Sequence, residues 1–73
     1  MKDTYKQAIE MLRESDVVIL QKTVKTKTMV LKFQKLQVPY VRYTSASNRE
    51  VEKDLVMHAE EAISVLALAL QYI

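Results

Sequence analysis

The chain has 73 residues, with 11 Lys and Arg against 9 Asp and Glu for a formal net charge of +2, no Cys, no Gly, one His and one Pro. That length fits a single small domain spanning 1–73, and the missing Cys removes disulfides, thiolate nucleophiles and Cys-type zinc sites, while a lone His58 cannot build a His-rich metal cage. Without Gly the chain cannot form a Walker loop, a dinucleotide-binding turn or a G-x-S-x-G elbow, so the expectation is a protein that is not an enzyme and has no catalytic residue, metal or cofactor.

In chain order, Tyr5, Ala8, Ile9, Met11 and Leu12 recur at helical spacing opposite Lys6, Gln7, Glu10 and Arg13. This predicts a first helix over about residues 3–14, capped by Asp3 or Thr4. From Val17 the pattern changes to an unbroken β-branched and aliphatic run, Val17-Val18-Ile19-Leu20, which predicts a first strand to about Val24. Met29, Leu31 and Phe33 then alternate with Thr28, Lys32 and Gln34, predicting a second strand with one face in the core. Val38 to Thr44 predicts a third strand, placed at an edge because Pro39 has no amide proton to donate. Lys25-Thr26 and Leu36-Gln37 are the predicted turns, and in the absence of Gly or Asn there, ordinary type I loops are expected over primed hairpins.

Ser47 followed by Glu50 makes the S-x-x-E pattern of a capping box, which predicts that a long second helix begins here. Its stripe would be Val51, Leu55, Ala59, Ala62, Leu66, Ala69 and Ile73, close to a heptad seam. The expected fold class is therefore α+β: helix, three-stranded antiparallel meander, long C-terminal helix, in a two-layer sandwich. That element order is similar to the order in double-stranded-RNA-binding domains. The family's Gly- and His-containing turn and its Lys-Lys-x-Ala-Lys run are absent here, and Asn48-Arg49-Glu50-Val51-Glu52-Lys53-Asp54 stands where that run would fall.

Charge is distributed unevenly. Residues 17–47 hold Lys22, Lys25, Lys27, Lys32, Lys35 and Arg42 with no acid, whereas residues 1–16 sum to −1 and residues 48–73 to −3. With Met29, Leu31 and Phe33 turned to the helices, Val30, Lys32, Gln34, Val38, Tyr40 and Arg42 share the opposite face. A Tyr among cations on an open sheet can stack a base while the cations hold phosphates. The first expectation is thus a DNA- or RNA-binding or regulatory module acting through a basic sheet face of Lys22, Lys25, Lys27, Lys32, Lys35, Tyr40 and Arg42. The alternative is a protein-interaction module, such as a small inhibitor, an antitoxin-like partner or a subunit, that docks through that face or through the apolar C-terminal helix. Lys on strands also serves simply to blunt sheet edges.

Asp54, His58 and Glu61 lie at i, i+4 and i+7, so on a continuous helix they would share a face, but nothing completes a metal shell or a nucleophile. A chain this short buries only about 60% of its unfolded surface. The end of helix 2 is apolar nearly all round. A homodimer is therefore expected, with Ile63, Leu66, Leu68, Leu70 and Ile73 at its interface. The polar start Met1-Lys2-Asp3-Thr4-Tyr5-Lys6 has no apolar signal core, and a spanning helix needs about 20 apolar residues. The expected location is the cytoplasm, with no membrane contact.

Overall fold

Residues 3–72 are described by a computed structural model. Helix α1 (Thr4–Glu14) leads into strands β1 (Val17–Val24), β2 (Lys27–Lys35), β3 (Tyr40–Ser47) and β4 (Glu50–His58), and α2 (Ala59–Tyr72) closes the order. The strands form one antiparallel sheet in the order β1-β2-β3-β4. The α+β class is as predicted from the sequence, but the sheet has four strands, not three, and the order no longer follows that of double-stranded-RNA-binding domains.

The first helix starts where capping chemistry puts it. Asp3 Oδ1 accepts a hydrogen bond from the Lys6 N–H at 3.0 Å, satisfying one of the free amides of the first turn. Thr4, Ala8 and Leu12 form the buried stripe, whereas Tyr5, expected on it from the spacing, lies on the exposed side.

The larger correction concerns residues 50–58, predicted as the first half of a long helix. Ser47 and Glu50 do not form a capping box: they face each other across a two-residue turn, Asn48-Arg49, and open the β3–β4 hairpin. Both turn residues have positive φ, 51° for Asn48 and 71° for Arg49, which is the twist that a tight primed hairpin requires. Asn tolerates this region better than most residues, and its side chain adds a hold on β2, with Oδ1 accepting from the Thr28 N–H at 3.0 Å. Beyond the turn, Val51, Leu55 and Val56 suit a pleated strand, and pairing them satisfies the backbone groups along the free side of β3. A register shift opposite Ser45 and Ala46 leaves Glu52 as the extra residue of a β-bulge. The predicted seam is thereby cut: Val51 and Leu55 belong to the sheet, and α2 starts only at Ala59.

Two further expectations change with the added strand. β3 is central and not an edge, because Pro39 lies in the turn before it, where its carbonyl accepts from the Ala59 N–H at 2.7 Å and no amide proton is called for. The β1–β2 turn is also not an ordinary type I loop, since Lys25 takes φ 57° between the paired residues Val24 and Lys27.

Each strand contributes one residue to the centre of the core, Val18, Phe33, Val41 and Met57, in two register pairs. Phe33 is 0% exposed, and its ring lies 5.0 Å from that of Tyr43 on the neighbouring strand. Ala8, Leu12, Ala62, Leu66 and Ala67 cover them from the helices. The three alanines allow the two helices to approach closely, and Gln71 Nε2 donates to Thr4 Oγ1 at 3.3 Å, tying the end of α2 to the start of α1. Both helices therefore lie on one face of the sheet, and the other face is bare.

Candidate interaction surface

The bare face follows from the register. Alternate residues of each strand point away from the helices: Val17, Ile19, Gln21 and Thr23 on β1; Thr28, Val30, Lys32 and Gln34 on β2; Tyr40, Arg42, Thr44 and Ala46 on β3; and Val51, Asp54, Val56 and His58 on β4. An antiparallel sheet that meets only water carries mostly polar residues on that side. Here Ile19 is 58% exposed, Val56 56% and Val51 65%, with Val17, Tyr40 and, in the turn before β3, Val38 also open.

The electrostatics of this face are muted. Arg42 donates from Nε to Asp54 Oδ1 at 2.9 Å and from Nη2 to Asp54 Oδ2 at 2.7 Å, a two-pronged pair across β3 and β4. The hydrogen bonds to Arg42 hold the Asp54 carboxyl below the ordinary carboxylate range, and the same bonds, with the carboxylate charge, raise the guanidinium further. This pair neutralises the cation that the sequence placed on the face, and the acid responsible comes from the strand read as helix. Lys32, flanked by Ile19 and Thr44, is left as the one cation of that face without an acidic partner among the described residues.

The structure places the seven expected nucleic-acid residues in four different settings. Lys32, Tyr40 and Arg42 share the bare face, as predicted. Lys22 and Lys35 point to the helix side, where Lys22 Nζ donates to the Tyr72 carbonyl at 2.8 Å and Lys35 Nζ to the Arg13 carbonyl at 3.3 Å. Each thus meets the carbonyl end of a helix, a structural role for a lysine. Lys25 sits in the β1–β2 turn, and Lys27 opens β2 beside it. Arg49, missed as a candidate, joins them: the β1–β2 and β3–β4 turns lie at the same end of the sheet, with Asn48 N–H donating to the Thr28 carbonyl at 3.0 Å. The signal for Arg49 was the Asn before it, which suits a primed turn.

Of the expected dimer residues, Leu66 is 0% exposed and spent on the chain's own core, Ile63 and Leu70 pack partly against that core, and Leu68 is 54% exposed. Ile73 lies outside the described residues. Leu68 and Tyr72 of α2 border a hollow of about 340 Å³ whose floor is Leu20, Met29, Leu31 and Tyr43. Asp54, His58 and Glu61 do not share a helical face, since the first two stand on β4, and among the described residues no group of three or more His, Cys, Asp or Glu could hold a metal ion. No described helix is long and apolar enough to cross a membrane. No protein-family model, curated protein or solved structure matches the chain.

Proposed function

We infer that this chain is a non-enzymatic protein-interaction module that docks on a protein through the bare face of its sheet. One observation carries the reading: that face spans all four strands, exposes Ile19, Val51 and Val56, and cancels its own Arg42 charge with Asp54. Phosphate recognition calls for unpaired cations in a row. Protein docking uses exposed apolar side chains beside satisfied polar groups, and here Val17 and Ile19 on β1 and Val51 and Val56 on β4 flank a polar middle in which Arg42 is already paired with Asp54.

Nucleic-acid or regulatory binding remains a second reading, now moved from the sheet face to the end where Lys25, Lys27 and Arg49 gather. One capture experiment separates the two. Tagged protein is incubated with cell extract, with and without nuclease, alongside two variants, Ile19→Asp/Val56→Asp and Lys25→Ala/Lys27→Ala. The docking reading expects a specific protein partner that survives nuclease and the turn variant but is lost with the face variant. A capture that nuclease abolishes, and that the turn variant loses while the face variant keeps it, would overturn that reading in favour of nucleic acid.

A further inference from the structure

The two edges of the sheet differ. The N–H of Lys35 donates to the Asp16 carbonyl at 2.8 Å, which sets the phase of the β1–β2 ladder. Even-numbered residues of β1 bond to β2, and Val17, Ile19, Gln21 and Thr23 turn their N–H and C=O groups outward. On the opposite edge the bond from the Ala59 N–H to the Pro39 carbonyl sets the same phase, so Asp54 and Val56 face outward from β4. β4 carries the usual defences of a free edge, the bulge at Glu52 and the charged run of Glu50, Glu52, Lys53 and Asp54. β1 has no bulge, no Pro and no acid, and its single charge, Lys22, is drawn to the end of α2. An unguarded apolar edge of this kind is a template for another strand.

We propose that β1 pairs antiparallel with β1 of a second copy of this chain, joining the two sheets into one of eight strands. The occupant is a second copy because this strand is complementary to itself. Outward-facing residues must pair with outward-facing residues, and a two-fold axis at Leu20 is the register that pairs all four of them, Ile19 against Gln21 and Val17 against Thr23 of the other copy. About eight backbone hydrogen bonds result, two for each of four narrow pairs. Lys22 then opposes Val18, so the two cations never meet, and no acid is needed to balance them. The hollow beneath Leu68 and Tyr72 reaches Leu20 of the same strand, so the apolar surface left open there lies next to the axis. The dimer helix pair expected from the sequence is thus replaced by strand pairing, and the proposal holds whatever the bare face binds.

Sedimentation equilibrium and residue-resolved hydrogen exchange on the unmodified chain at high micromolar concentration test it. The expected mass is twice the 8.5 kDa of one chain. The amides of Ile19, Gln21 and Thr23 should exchange at least about 100-fold more slowly than those of Asp54 and Val56, because only the former gain partners. Gln21→Pro, which removes an outward N–H without touching the β1–β2 ladder, should give a monomer with an unchanged far-ultraviolet spectrum. A monomeric unmodified chain, or a dimer whose β1 and β4 outward amides exchange equally fast, overturns the proposal. Both of those results are read on the unmodified chain, so neither depends on how the variant folds.

Discussion

Replacing Arg49 by Gly tests the β3–β4 hairpin through the sign of its effect. Arg49 sits at φ 71°, where a side chain with a Cβ crowds the following carbonyl at a cost of about 1–2 kcal/mol. Gly removes that cost but brings back about 0.4–1 kcal/mol of unfolded-chain entropy. The net expectation is a gain of about 0.5–1 kcal/mol, and for a domain of this size 1 kcal/mol moves the melting temperature by about 4–8 °C. Were residues 48–58 helical, as Ser47 and Glu50 suggest on paper, the same change would put Gly into the first turns of a helix and cost up to about 1 kcal/mol. Thermal unfolding followed by circular dichroism reads the difference, with Arg49→Ala as the control that removes the charge but not the Cβ. Arg49→Gly should melt higher than both the unmodified protein and Arg49→Ala. A lower melting temperature for Arg49→Gly, with Arg49→Ala unchanged, would refute the hairpin.

Three further outcomes follow from the packing and the charges. Leu66→Ala should cost about 2–5 kcal/mol in chemical denaturation, because its side chain is wholly enclosed, whereas Leu68→Ala, on the exposed side of the same helix, should cost under about 0.5 kcal/mol in the monomer. Asp54 is held below its ordinary range by Arg42, so its contribution is complete above the unfolded carboxyl value of about 3.9 and is lost as pH falls through the lower folded value. The stability difference between the unmodified protein and Asp54→Asn should therefore be largest near neutral pH and shrink below about pH 4 in urea melts; a difference that grows in acid would show that the carboxylate is not paired. Lys22→Ala should destabilise by about 0.3–1 kcal/mol through loss of its contact with the end of α2, and an unchanged denaturation midpoint would contradict that contact.

The parts of the fold that were legible in the sequence are those with one strong period and no competing partner. The Ala8 and Leu12 part of the α1 stripe, the alternation of Met29, Leu31 and Phe33, and the shared face of Lys32, Tyr40 and Arg42 follow from spacing alone, whereas Tyr5, expected on that stripe, is exposed and Thr4 is buried in its stead. Residues 50–58 mislead because Val51, Leu55 and Ala59 fit helical spacing and Ser47 and Glu50 match a cap, so local pattern favours a helix. What decides for a strand is non-local: β3 offers a full row of unpaired backbone groups, and the Asn48-Arg49 turn delivers the chain to them. The same ambiguity hides the charge balance of the site. With Asp54 assigned to a helix, its cancellation of Arg42 could not be foreseen, and neither could the diversion of Lys22 and Lys35 to helix ends, which depends on where the helices lie over the sheet.

The central claim, that a four-stranded sheet presents an uncovered and partly apolar face for docking, is tested most directly by methyl relaxation in the presence of a soluble gadolinium chelate. The methyl groups of Ile19, Val51 and Val56 should relax strongly with added chelate, while those of Val18 and Leu66, on the helix side, should hardly respond. Relaxation of Ile19 and Val56 as weak as that of Val18 would mean that the face is covered, and would contradict the claim.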